Sequence, residues 1–191
     1  MSKKRILLAI DCQNDFITGA LRNEEAIKKV PNIVEKIKNE NWDFIFLTRD
    51  THDTDYLETK EGEKLPVVHC LKGSKGWEIE QSIANAVAAA HENGTQYAVY
   101  NKFTFGLCTL PEDLEFELES QTDIDFGKDE VEVVFVGFCT DICVVSNALL
   151  LKSVWYQFAD IAVDSNCTAG VTPESHEAAL TTMKMCQIDV I

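Results

Sequence analysis

No stretch of eighteen or more apolar residues occurs in this sequence, so nothing in it reads as a membrane-spanning helix. A secretory leader is not legible either. The basic start Met1-Ser2-Lys3-Lys4-Arg5 leads into an apolar run, Ile6 to Ile10, which Asp11 interrupts too early. There is no CxxC pair, and seven cysteines is an odd number, which argues against a disulfide framework and for a reduced, cytosolic protein. Basic residues are scarce: 17 Lys and Arg stand against 32 Asp and Glu, a formal net charge of -15. That balance argues against nucleic acid or an anionic membrane as partner, and as a surplus it most simply keeps the protein soluble. Neither G-x-G-x-x-G nor G-x-x-x-x-G-K-[ST] follows the first apolar run, so a nucleotide-binding module has little support. Repeats, low-complexity tracts and linkers are also missing. The 191 residues are therefore read as one domain, 1–191, large enough for a substantial core.

What is present is organised around Val134-Phe135-Val136-Gly137-Phe138-Cys139-Thr140-Asp141-Ile142-Cys143-Val144-Val145. An apolar, β-branched run reads as a buried strand, and Gly137 breaks it. Thr140 or Asp141 suits a helix N-cap, and Ile142 to Lys152 continues in helical rhythm. Cys143 then falls in the first turn of a buried helix beyond a central strand. There the helix dipole is expected to favour thiolate, and free backbone N–H groups can bind an oxyanion. On this stretch alone, a cysteine that merely packs as a small hydrophobe fits equally well.

Elsewhere the chain alternates strands and helices. Arg5–Ile10, Asp43–Thr48, Gln96–Tyr100, Trp155–Val163 and Gln187–Ile191 read as further strands. Glu24–Glu40, Glu78–Glu92, Glu112–Gln121 and Pro173–Met183 read as helices, the first with a kink or a late start at Pro31. The stretch 54–76 shows no periodicity, and 125–130 is a polar turn. Six strands alternating with helices imply an α/β fold with a parallel sheet covered on both faces. In such sheets the ligand site lies outside the carboxyl ends of the strands. Asp11, Asp50, Lys102 and Cys143 all stand at such ends.

That rim suggests two kinds of chemistry. A carboxylate, an ammonium and a thiol together make an activated nucleophile without histidine. Taken singly, Asp11 is a turn former and Lys102 a solvated charge. Asp50 and His52, two residues apart, with His69 further down the loop, form a plausible divalent-metal set with open positions. Glu58, Glu61 and Glu63 offer additional ligands. His91 and His176 lie in polar helix contexts and read as surface residues, while Cys12, Cys70, Cys108, Cys167 and Cys186 read as packing or incidental.

Asp11-Cys12-Gln13-Asn14-Asp15-Phe16 resembles the D-x-Q-N-D-F signature of the isochorismatase-like cysteine hydrolases. Thr48-Arg49-Asp50-Thr51-His52 and Leu65-Pro66-Val67-Val68-His69-Cys70 resemble the metal loop of the nicotinamidase branch. Gly137-Phe138-Cys139-Thr140-Asp141-Ile142-Cys143-Val144 resembles the family's G-x-x-T-D-x-C-V nucleophile turn. The resemblance spans Ile6 to about Thr172, with the motifs in family order. It implies a three-layer αβα fold with a six-stranded parallel sheet, and Asp11, Lys102 and Cys143 as a catalytic triad. A cis peptide between Phe138 and Cys139 is also implied, with the N–H groups of Cys139 and Cys143 forming an oxyanion hole. Asp50, His52 and His69 match the ligands of a divalent metal, zinc first, with iron or manganese as alternatives. Two features depart from the nicotinamidase pattern. Leu65 and Pro66 occupy the stretch where an aromatic residue commonly precedes the second metal histidine, and Phe103-Thr104-Phe105-Gly106 follows Lys102. Phe16, Phe103 or Phe105 is then expected to supply the aromatic wall.

The activity implied is deamidation of a small planar carboxamide, nicotinamide to nicotinate and ammonia, through a Cys143 thioester. A family hydrolase of ureido, carbamoyl or other linear amides is the alternative, and a non-catalytic α/β binding module a more distant one. The family resemblance also implies a homo-oligomer.

Overall fold

The computed structural model describes residues 3–126 and 128–191, so Met1 and Ser2, and Gly127 within the expected polar turn, lie outside the described residues. Apolar runs build the sheet: β1 (Lys4–Ile10), β2 (Phe44–Asp50), β3 (Gln96–Lys102), β4 (Val131–Phe138), β5 (Ala159–Ala169) and β6 (Asp189–Val190). All pair in parallel, in the order β3-β2-β1-β4-β5-β6. The connections are α1 (Asn14–Ile17), α2 (Glu24–Asn39), α3 (Lys60–Lys64), α4 (Gln81–Glu92), α5 (Leu110–Gln121), α6 (Val145–Trp155) and α7 (Pro173–Met185).

Alternation along β1 sets the layers, because successive side chains of a strand point to opposite faces. Ile6, Leu8 and Ile10 pack with Leu114, Leu151 and Met183 of α5, α6 and α7. Leu7 and Ala9 pack with Ile33, Ile37, Ile83 and Val87 of α2 and α4. The result is a three-layer αβα arrangement with a parallel sheet hidden on both faces. Among the described residues no helix is long and apolar enough to cross a membrane. All seven cysteines are free.

The chain lays down β1, β2 and β3 in one direction, then returns to the other side of β1 for β4, β5 and β6. The order therefore reverses between β1 and β4, and at such a switch point a crevice opens outside the carboxyl ends. Gly137 holds this junction together. Its φ is +109°, and a Cβ built there would overlap the Ile10 carbonyl oxygen on the paired strand. Gly137→Ala is expected to cost roughly 3 kcal/mol, combining a disfavoured backbone with a backbone clash. Urea unfolding checks this, and a loss below about 0.5 kcal/mol, the range of ordinary surface changes, would contradict it.

Several boundaries differ from the sequence reading. β2 and β3 run on to Asp50 and Lys102, which pair in register. α2 continues unbroken through Pro31, started by Asn23, whose side chain accepts from Glu25 and Ala26 N–H groups. Trp155 ends α6 instead of opening a strand, and β5 begins at Ala159. The reason is packing: Trp155 is buried against Phe126, ring centroids 5.0 Å apart, so the first residue of the expected strand ends a helix, and a turn at 156–158 precedes the strand. The aperiodic stretch 54–76 contains a 3-10 turn (Tyr56–Glu58) and α3.

Candidate active site

The first side chain past β1 is Asp11, fully buried and in the left-handed region at φ 47°, which aspartate tolerates better than most residues. Thr48 of β2 donates to its Oδ1 at 2.6 Å and accepts from its N–H at 3.1 Å. Lys102, at the end of β3, is 1% exposed. Its Nζ stands 2.7 Å from Asp11 Oδ2, 3.0 Å from Asp50 Oδ1 and 3.5 Å from Cys143 Sγ, and donates to the Thr104 carbonyl at 3.1 Å. The contact to Asp11 is a short, fully enclosed ion pair, and apart from it Asp11 Oδ2 is a buried side-chain oxygen without a hydrogen-bond partner, alone in this among the described residues. Burial opposes the Lys102 charge, but Asp11, Cys143 and Asp50 around it hold its pKa well above the ordinary lysine value.

After β4 the Phe138–Cys139 peptide is cis. Thr140–Val144 is a single π-helical turn, and α6 follows it. Cys143 therefore sits in a wide turn and not in the first turn of a regular α-helix, and neither Thr140 nor Asp141 caps it. Cys139 occupies the cap position, and its carbonyl accepts from the N–H groups of Ile142 and Val144 at 3.1 and 3.0 Å. The expected dipole effect on Cys143 is also overridden. Burial, and next to it the Asp11 carboxylate, push its thiol well above the ordinary range, with Lys102 opposing. Both effects favour the neutral thiol over the thiolate. Behind it, buried Asn147 donates to the Cys143 carbonyl at 2.7 Å and accepts from Leu107 N–H at 2.9 Å, tying the loop after β3 to the turn that carries Cys143.

The second constellation lies beside the first. Oxygen or nitrogen atoms of Asp50, His52, Glu61 and His69 all come within 4.8 Å of one another. His52 Nε2 is 3.0 Å from Asp50 Oδ2, His69 Nε2 is 3.6 Å from the same oxygen, and Glu61 Oε1 is 3.7 and 3.9 Å from the two imidazoles. His69 Nδ1 faces the Val67 carbonyl at 2.8 Å, and a carbonyl can only accept, so a neutral ring carries its lone pair on Nε2. That lone pair and two carboxylates converge on one point, an arrangement that fits a divalent cation. Burial would raise Asp50, but the hydrogen bond to His52 and the Lys102 charge hold it well below the usual carboxylate range.

Supports for this group were not all legible in the sequence. Gln13 spans the backbone of Asp50, accepting from its N–H at 2.7 Å and donating to its carbonyl at 2.9 Å. Asp15 accepts from Cys70 N–H at 2.8 Å, securing the residue after His69. Both belong to the first motif, and that was their only signal. Tyr56 packs its ring 4.5 Å from His52 and 5.0 Å from His69 and donates to the Leu65 carbonyl; it and Asn147 carried no sequence signal, and Thr48 stood only as the first residue of the Thr48–His52 motif. His176, read as a surface residue, is half-buried and bonded to Thr140, whereas exposed His91 bonds only locally to Thr95.

Both groups open on one cleft of about 790 Å³, whose walls include Phe16, Leu65, His69, Phe105, Ile142 and Cys143. Phe103 does not line it. It is 61% exposed, whereas Phe16 and Phe105 border the cleft.

Comparison with known proteins agrees with this architecture. The isochorismatase domain model matches residues 5–191. A Bacillus subtilis (strain 168) protein described as the uncharacterized isochorismatase family protein PncA is 26% identical over 183 residues, 93% of this chain and 92% of its own. The crystal structure of nicotinamidase/pyrazinamidase PncA from Bacillus subtilis superposes with a TM-score of 0.75 at 26% identity, covering 98% of each chain. The pyrazinamidase of Pyrococcus horikoshii, solved in complex with zinc, shares the fold with a TM-score of 0.72 at 22% identity over 98% of each chain. With a domain match from the first strand to the last residue, and a crevice at the switch point that gathers the motif residues, this chain belongs to the isochorismatase family.

Proposed function

We propose that the protein is a metal-assisted cysteine amidohydrolase that converts a small planar carboxamide to its acid and ammonia, with nicotinamide the first candidate. One observation carries this reading: Lys102 Nζ touches both Asp11 and Cys143 while Asp11 Oδ2 keeps an unused lone pair beside the sulfur's ammonium neighbour. Asp11 takes the Cys143 proton, and the thiolate attacks the amide carbonyl carbon. The N–H groups of Cys139 and Cys143 hold the oxyanion, an effect of about 3–4 kcal/mol per donor in comparable sites. The C–N bond then breaks, and the proton on Asp11 leaves with ammonia. Water adds to the thioester, Asp11 accepts its proton, and the acid departs as the Cys143 sulfur is reprotonated. Lys102 remains charged throughout and keeps the carboxylate and sulfur in place. Phe16 and Phe105 form the apolar wall against the planar ring.

Asp50, His52 and His69, with Glu61, would hold the metal, zinc first given two imidazoles and two carboxylates, with iron or manganese next. Bound there, it supplies a Lewis-acid contact that orients a ring nitrogen of the substrate. The likeness to Bacillus subtilis nicotinamidase/pyrazinamidase supports the same choice of amide. The test is ammonia release from nicotinamide by zinc-loaded protein, with and without a chelator. Release that the chelator abolishes supports the proposal. Release only from ureido or carbamoyl amides, for which the cleft also has room, would replace nicotinamide with the linear class.

A further inference from the structure

The turn that carries Cys143 is gripped from behind by the start of α7. Thr140, fully buried, opens the π turn, and its Oγ1 lies 2.8 Å from His176 Nδ1. Its neighbour Asp141 accepts from the Val171 N–H at 3.2 and 3.1 Å. Gly170 makes the close approach possible: a Cβ there would stand 2.9 Å from His176 N and 3.0 Å from its Cα and Cβ. α7 is itself fixed at this end by reciprocal bonds between Thr172 and Ser175.

We propose that neutral His176 is a positioning residue for the nucleophile turn, acting on Cys143 through the Thr140 hydroxyl. The role of the turn rests on the function proposed above. A neutral imidazole that carries its hydrogen on Nε2 presents a lone pair at Nδ1 to the Thr140 O–H, 2.8 Å away. A protonated one places a hydrogen there, so that Thr140 Oγ1 becomes the acceptor and its own hydrogen swings into the buried turn. Lys29 of α2 faces His176 and favours the neutral form, while Asp141 of the turn and Glu177 of α7 favour the charged one. Glu25 of α2 shares the small cleft that borders the ring. Burial prevails and lowers the His176 pKa, so neutral imidazole predominates at pH 7.

The readout is alkylation of Cys143 by iodoacetamide, followed by peptide mass spectrometry in a Cys108→Ser, Cys186→Ser background that removes the two exposed thiols. His176→Ala should slow alkylation about 10-fold, the scale of a lost outer-shell partner, and lower kcat similarly with little change in KM. His176→Asn restores a side-chain amide near the Nδ1 position. It should recover the rate to within about threefold and lose whatever component of the acid limb of the pH profile the imidazole supplies. Thr140→Val should reproduce the loss, and adding His176→Ala to it should change nothing more. A wild-type alkylation rate and pH profile in His176→Ala would overturn the proposal. So would full additivity of the two variants. Alkylation needs no amide substrate, so a failure to hydrolyse nicotinamide would count against the proposed function alone.

Discussion

Replacing Cys143 by alanine is expected to lower amide hydrolysis at least about 10,000-fold, as loss of a nucleophile does in enzymes that form acyl intermediates. The fold should survive, because the change removes one sulfur from a buried site and costs about 1 kcal/mol or less. Metal content should be unchanged, since Cys143 is not among the four side chains that converge as a ligand set. Ammonia release, thermal unfolding and metal analysis on the same preparation separate these effects. Turnover within tenfold of the parent protein would remove Cys143 from the mechanism.

Lys102→Met is expected to be the most destabilising single change at the site. The ammonium lies 2.7 Å from Asp11 and 3.0 Å from Asp50, fully enclosed, and no other cation reaches Asp11 among the described residues. Methionine fills most of the volume but leaves two buried carboxylates facing each other, a situation that costs about 3–5 kcal/mol. The pH dependence should then change sign. In the parent protein Asp50 is held below its unfolded pKa, so its contribution is present above that value and is lost as pH falls. In the variant the dominant group is Asp11, which burial already raises and which no longer has Lys102 to oppose that shift. A carboxyl whose folded pKa lies above its unfolded one penalises the native state at high pH, so acidification towards pH 5 should narrow the gap between variant and parent. Urea unfolding at pH 5 and 7.5 measures this. An equal gap at both values would mean that Asp11 does not depend on Lys102.

Much of the architecture was legible because it depends on local pattern. Continuous apolar runs ending in polar residues marked the central strands, and the helical face of Ile33 and Ile37 marked α2, whose Asn23 cap only the structure showed. The misplaced start of β5 shows the limit of that signal. A buried helix such as α6 and a buried strand are both apolar all round, so periodicity cannot tell where one ends. The cysteine turn shows a second limit. A cap residue followed by helical rhythm predicted a regular helix and a lowered thiol pKa, whereas the chain forms a π turn and burial controls the sulfur.

The sequence by itself determined the fold class, and it identified which acidic, basic and thiol side chains end their strands at one rim. These follow from hydropathy and from the rule that parallel sheets gather function at their carboxyl edge. Only the tertiary structure decided which atoms meet. It set Lys102 between Asp11 and Asp50, brought Glu61 to the histidines, left Phe103 out of the cleft wall and placed His176 against Thr140 behind Cys143. The Lys102 and His176 contacts join residues far apart in the chain, and the others depend on loop paths that no local window of sequence encodes.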